Sequence, residues 1–443
     1  MVSDELLGGA SHTAPAHVDA IRDAYAFGAT QLVHGYVEKR RQGFHFEFLV
    51  EDARTHKTLQ QVASDAEPLP SFDQLARKID PNAHAFSSTN AEAVTAWAKG
   101  EFEKAVTLDP GFGAAWSSWV QARAAAGDRQ GAADIASRAL GQKSLQSQVD
   151  RAQLEVVSAS LRQDEPAQER ALSALAQLMP HDLGLLGQLA TRASNARNFP
   201  EAARYYQAIL QEAPEDIEVW NQLGYVQALA GDLESARKSL ERYGSDPVHA
   251  ANALDSLGEA AFLNGKFSDA EKYFLDAHAK SSALLAGSDL LKAAYSRWLQ
   301  GDLPGADKLF SQYAAFRSAQ KDALVPWRQA VWEYSTGRTD AAVARLSNVT
   351  GPAENVARAQ LAIWKDPSKL PQDPAALKQA YERAAPTTDG LPRVLYAAAL
   401  AKAGQKDEAR KLIALWPLPG VETDPLLQSF VFPKYLELKR ELK

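Results

Sequence analysis

The sequence has no cysteine and only two methionines among its 443 residues. Without thiols there are no disulfides, no thiolate nucleophile and no cysteine-ligated zinc or iron–sulfur cluster. Long apolar runs are missing too, since no stretch approaches the roughly 20 uninterrupted apolar residues of a membrane span. No lysine–arginine block occurs, and 55 Asp and Glu outnumber 48 Lys and Arg for a formal charge of −7. An acidic chain without a basic patch lacks the counterion-release footing of a general nucleic-acid binder, and it lacks the polybasic cluster that anionic membranes attract. Met1 to His17 hold no basic stretch followed by an apolar core, so no secretory leader is expected. The chain as written is therefore read as cytoplasmic. A periplasmic or other extracytoplasmic place follows if an upstream signal or anchor has been removed.

The usual catalytic signatures are absent as well. There is no Gly-x-x-x-x-Gly-Lys-Ser/Thr phosphate cradle, no Gly-x-Ser-x-Gly elbow and no His-Glu-x-x-His helix. The nine histidines are scattered; His12 and His17 lie closest together, and these and His45 read as surface polar residues rather than metal ligands. Glu215 and Glu218 suit the first turn of a helix, where negative charge meets the positive end of the dipole. No catalytic residue, metal or cofactor is expected.

What the sequence has is a repeat. A small alanine is followed four positions later by an apolar residue and by another three beyond, with lead positions Ala98, Ala132, Ala167, Ala202, Ala236, Ala270, Ala306, Ala342, Ala376 and Ala409. Successive leads are about 33 to 36 residues apart, the period of a helix-pair array. Five residues before six of them stands a glycine: Gly127, Gly231, Gly265, Gly301, Gly337 and Gly404. That is where one helix must end and the chain turn back, a position that favours positive φ. Trp220-x-x-Leu223-Gly224 and Leu254-x-x-Leu257-Gly258 open two of the units, Ala202-x-x-x-Tyr206 and Ala270-x-x-x-Phe274 sit in the second helices, and Pro110 and Pro214 close theirs.

Over roughly residues 85 to 420 this pattern resembles the tetratricopeptide (TPR) repeat family. The resemblance implies a mainly α fold, a superhelical α-solenoid of about nine helix pairs, whose apolar faces are buried only against neighbouring repeats. The repeat near Ala376 carries Pro367, Pro371 and Pro374 between its helices, which predicts an irregular connection. Trp116 and Trp119 replace the usual apolar pair of their unit and belong to the core. Residues 81–92 read as a linker or cap, 93–423 as the array, and 424–443 as a capping helix with Tyr435, Leu436 and Leu438 on its apolar side.

Residues 1–80 follow another rule. Val18, Ile21 and Tyr25 have helical spacing, whereas Phe44, Phe46, Phe48 and Val50 alternate with His45, Glu47, Leu49 and Glu51 as in a half-buried strand. Leu32 to Val37 and Leu59 to Val62 read as flanking strands, Arg40 to Gly43 as a turn, and Pro68 to Ile79 as helix. With Gly35 and the run Leu49 to Thr55, this order is similar to the small α/β domain that precedes TPR arrays in bacterial signalling kinases and transcriptional regulators. The output domains of those proteins are not part of this sequence.

In the TPR family the first helix of each repeat lines a concave groove, at fixed offsets before the lead alanine. The resemblance therefore puts Asn221, Tyr225, Asn252, Asp255, Glu259 and Phe262 on the groove of the regular repeats, with Tyr295, Trp298, Trp327 and Tyr334 in the looser ones. Where the offset slips by one, Trp298 or Trp327 returns to the core. Amides, acids and aromatics in one groove suit an extended, basic peptide. The expected function is a non-enzymatic protein-interaction scaffold or sensory module with a protein or peptide partner, without nucleic acid and without membrane insertion. The alternative is a self-assembling protein that pairs through the N-terminal sheet edge or the repeats, as a homo-oligomer. An enzyme with its site between the two domains is the third and weakest reading.

Overall fold

The computed structural model describes residues 31–40, 44–52, 55, 57–66, 73–74, 76–78, 81, 83, 85–367, 370–421 and 424–442. The helix expected around Val18 to Tyr25, the histidines at 12 and 17, and most of the first hairpin turn lie outside these residues. The chain divides into two compact units, residues 1–180 and 181–443.

The first unit opens with an antiparallel meander of β1 (Gln31–Lys39), β2 (Phe44–Asp52) and β3 (Thr58–Ala66). Its register pairs Val33 with Val50, Val37 with Phe46, and Phe48 with Val62, so the alternating aromatics of β2 share one face. Phe46, Val50 and Val62 are buried on it. Because β2 is the middle strand, bonded on both sides, the run Phe44 to Val50 is not a free edge. This corrects the expectation that it could add to another sheet; the outer strands are β1 and β3. Residues 73, 74 and 76–78 are helical, as the sequence predicts, and Gln60 of β3 donates to the Lys78 carbonyl.

Helices follow in pairs: α1 (Ala91–Ala98) with α2 (Phe102–Leu108), α3 (Gly113–Ala125) with α4 (Arg129–Leu140), and α5 (Gln148–Arg162) with α6 (Glu165–Leu178). Trp116 and Trp119 stack in the core of this unit at 5.8 Å, with Arg138 over the rings. The second unit continues with α7 (Leu183–Asn195) and α8 (Phe199–Glu212), α9 (Ile217–Leu229) and α10 (Leu233–Tyr243), α11 (Ala250–Leu263) and α12 (Phe267–Lys280), α13 (Ser288–Leu299) and α14 (Leu303–Ala319), and α15 (Val325–Ser335) and α16 (Thr339–Ser347). After α17 (Glu354–Lys365) comes the proline-bearing connection, then α18 (Pro374–Arg383), α19 (Gly390–Lys402), α20 (Lys406–Leu412) and the last helix α21 (Gln428–Glu441).

One turn is used throughout. Within the helix pairs, nine hairpins among the described residues bend at a residue with positive φ, namely Gly100, Gly127, Gln163, Arg197, Gly231, Gly265, Gly301, Gly337 and Gly404, and Lys321 does the same between α14 and α15. In the α9–α10 turn the Gly231 amide bonds to Ala228 and the Asp232 amide reaches back to Gln227, which satisfies the last carbonyls of the first helix. Asp232 then caps the second helix by accepting from the Ser235 amide, and Asp128, Asp164 and Asp302 do the same in their turns. Four residues after this cap position lies a fully buried alanine in most pairs, at 132, 202, 236, 270, 306, 342 and 409.

Three lead positions are corrected. Ala98 ends α1 only half-buried, and Ala105 in the short helix α2 takes the role. Ala167 is half-buried because the Asp164 cap puts Gln168, not Ala167, at the fourth position. Ala376 is exposed, and Leu377 is buried instead. Gly224 and Gly258 give the repeat its close approach. A Cβ on them would stand 2.5 Å from Leu240 and 2.5 Å from Phe274, the large residues four after Ala236 and Ala270.

Candidate functional site

The first helices α9, α11 and α13 bring their inward positions into one polar cluster. Lys292 of α13 reaches across to α11, its Nζ 2.7 and 2.8 Å from the two Asp255 oxygens and 2.6 Å from Glu259 Oε1. The other Glu259 oxygen accepts from the Tyr225 hydroxyl of α9 at 2.7 Å, and that hydroxyl also meets Ser256 Oγ at 3.3 Å. The Lys292 ammonium stands 5.5 Å from the centre of the Phe274 ring. Asp255, Glu259 and Lys292 are all buried, and Asp289 on the first turn of α13 is wholly so.

The charges do not balance one to one. Both carboxylate oxygens of Asp289 are buried without a hydrogen-bond partner, close enough to the Asp255 carboxyl for each to perturb the other. Burial pushes the Asp255 carboxyl up to about 6, with Lys292 opposing the rise and Asp289 adding to it. Asp289 is raised as well, chiefly by burial. For Lys292 burial works against the charged form, but Glu259 and Asp255 outweigh it and hold the ammonium above its ordinary value. Burial, helped by the Glu259 charge, raises the Tyr225 phenol well above its usual range. The result is a dry, acid-rich cluster that keeps one ammonium ionised and a tyrosine protonated.

At the margin of this cluster Asn221 and Asn252 are half-buried. Asn252 donates to the Tyr243 hydroxyl at 2.8 Å. The Asn221 carbonyl oxygen, one turn before Tyr225 on α9, is buried without a hydrogen-bond partner. A group in that state offers a free acceptor to whatever reaches it, since an unmet buried acceptor costs free energy.

The aromatic half of the expected groove is closed. The last helix lies against α15 and α19, and its Phe432 stacks on Tyr295 at 4.8 Å and meets Trp298 at 6.0 Å and Phe262 at 6.1 Å. Phe430 lies 5.4 Å from Tyr334, whose ring stacks on Trp364 at 4.4 Å. Trp327 is buried and donates to Gln360, which in turn donates to the Leu426 carbonyl. Ahead of α21 the segment from Ile413 to Val421 crosses the ends of α11 and α13. Its Trp416 amide donates to the Leu263 carbonyl at 2.9 Å, and Leu418 is buried in the same core. Phe262, Tyr295 and Trp327 are therefore core residues covered by the chain's own C-terminal segment, and Trp298 and Tyr334 are half-buried beneath it. Asp255 and Glu259 face inward as the offsets imply, but they are occupied by Lys292. Asn221, Tyr225 and Asn252 remain at the partly open end.

Two features escape the offset rule. Lys292 stands fourteen rather than fifteen residues before Ala306, in the looser repeat; its signal is one cation inside the apolar run Leu290 to Tyr295. The filling of the groove is signalled only by Phe430-Val431-Phe432, ahead of the apolar positions by which the last helix is recognised.

No protein-family model matches the chain, and no curated protein does. Among solved structures it is similar to a chain of Naa15/Naa10 bound to HypK-THB, at 15% identity and a TM-score of 0.40, covering 79% of this chain and 57% of that one. It is also similar to the P58(IPK) TPR domain, at 14% identity and a TM-score of 0.21, covering 83% and 97% respectively. The chain thus spans a little over half the length of the first.

Proposed function

We propose that the chain is a non-catalytic protein-interaction scaffold, and that its second unit takes an extended, basic segment of a partner at the polar end of the groove. The observation that carries this reading is the unpaired, buried carbonyl of Asn221 beside the Tyr225–Glu259 pair. A peptide amide or a cationic side chain laid along α9 would meet that acceptor once the half-buried Asn221 side chain turns outward. Behind it, Asp255 and Glu259 outnumber the one ammonium even where burial keeps a proton on Asp289, so the local field favours Lys or Arg and disfavours acidic sequences.

Fluorescence anisotropy with labelled decapeptides, one Lys/Arg-rich and one Asp/Glu-rich, tests it on the full chain. The basic peptide binds with a midpoint that rises with salt; Asn221→Ala weakens it about five- to tenfold, the size of one lost buried hydrogen bond. Equal binding of both peptides, or no response to Asn221→Ala, overturns the reading.

A second reading is pairing of copies through the sheet. Val33 and Tyr36 of the outer strand β1 are 48% and 57% exposed, so an apolar side chain and an aromatic ring face solvent on an outer strand. Light scattering separates the two readings. A mass that rises with concentration and falls to the monomer value in Val33→Lys supports pairing, and a constant monomer mass removes it.

A further inference from the structure

We propose that Arg197 is a latch that holds the second unit closed, and that it acts through Asp389 and Arg393 on the segment lying across the groove. Arg197 occupies the left-handed turn position between α7 and α8 with φ of 60°, where seven of the nine hairpins have glycine. An L side chain is disfavoured there, and Arg197, unlike Gln163 at an equivalent turn, makes several contacts with its side chain. Those contacts lie 184 to 192 residues away. The guanidinium sits 3.9 Å from the centre of the Tyr381 ring, and Nη2 donates to the carbonyls of Tyr381 and Ala384 at 2.8 and 3.2 Å and to Asp389 Oδ2 at 3.0 Å. The first helix pair of the unit is thereby tied to the α18–α19 turn, closing the array on itself.

The contact continues inward. The other Asp389 oxygen accepts from Arg393 Nε at 2.9 Å, and Arg393 Nη1 donates to the carbonyls of Leu412 and Leu415 at 2.8 Å each. Those carbonyls begin the strap that carries Trp416 and Leu418 into the groove. The Tyr435 hydroxyl ties Ile413 to the last helix at 2.9 Å, and Trp416 packs on Phe267 and Tyr435. One buried carboxylate thus joins two guanidiniums, one from the start of the unit and one holding the strap. Losing Arg197 leaves Arg393 and Asp389 as a simple pair and lets the α18–α19 turn and the strap loosen together.

The consequence for binding rests on the groove reading above: a loosened strap lengthens the open polar end into the aromatic half. The test uses the full chain with Arg197→Gly, since glycine suits this turn and the hairpin itself is kept. In hydrogen exchange, amides of residues 381–393 and 412–421 should exchange at least tenfold faster than in the wild type, and likewise in Asp389→Asn. Gln163→Gly, at an equivalent turn without these contacts, should leave them unchanged. If Arg197→Gly leaves 412–421 as protected as before, the latch is wrong. Anisotropy with the basic decapeptide is then read on the same variant. Faster exchange with tighter binding supports both readings, whereas faster exchange with no change in binding keeps the latch and removes its effect on the groove.

Discussion

Lys292 is the one cation among the described residues that reaches both Asp255 and Glu259. Replacing it by methionine keeps the volume but strands two buried carboxylates, which costs about 3–5 kcal/mol. Urea unfolding at neutral pH checks this; a loss below about 1 kcal/mol would mean water reaches the cluster. The same cluster has a pH signature. An unfolded Asp titrates near about 3.9, whereas folded Asp255 is held at about 6, so the folded state keeps a proton that the unfolded state has lost. Its contribution is complete below the unfolded value and falls by about 3 kcal/mol as pH rises through the folded one. In Asp289→Asn the amide donates to an ionised Asp255 and removes part of that rise. The variant should therefore gain stability relative to wild type between pH 5 and 8, and a constant difference across that range would rule out coupling between the two carboxyls. At Gly258 two effects compete. Alanine there gains up to about 1 kcal/mol of helix propensity but drives a Cβ against the Phe274 ring, at about 1–3 kcal/mol. Overpacking wins, and thermal melts should show a lower midpoint.

At the scale of the helix pair, stability resides in the turn as much as in the face. Gly231→Ala forces a Cβ into the left-handed region and should cost about 1–2 kcal/mol. Gln163→Gly relieves that strain and should gain up to about 1 kcal/mol, an opposite sign at an equivalent position that denaturant curves can read. The pairs were legible because their signals are local. Glycine five before alanine reports a backbone conformation, and Asp after glycine reports a cap. The register slipped where a signal was missing. Ala98 fitted the spacing only because α2 has seven residues. Ala167 fitted because Gln163 takes the turn without being glycine, leaving no marker for the frame. In the sheet, strict alternation gave β2 and its buried face, but alternation is silent on which strand is central.

For the second unit as a whole, the groove was only half legible. Offsets within a repeat name only a side of a helix, and Asp255, Glu259, Phe262 and Tyr295, which they put on an open groove, are buried. Offsets do not tell what lies opposite, because Phe432 is about 170 positions along the chain from Phe262 and no local pattern couples the two. Removing residues 424–443 should uncover Phe262, Tyr295, Trp298 and Tyr334. We expect a red-shifted tryptophan emission, binding of an apolar dye and a loss of at least about 3–5 kcal/mol, the size of one deleted core aromatic. An unchanged emission maximum would mean that the helix contributes little to the core.

The place of Phe432 bears on how the chain is made. During synthesis at about 5–20 residues per second, the aromatic faces of α11 and α13 wait roughly 10–30 seconds for the segment that covers them. Over that interval a nascent chain presents a line of uncovered rings, and a chain that stops short of α21 has its earlier helices complete but its interior open. Such truncated chains should be the ones that holdase chaperones retain and proteases clear, so the arrival of α21 serves as a late folding step.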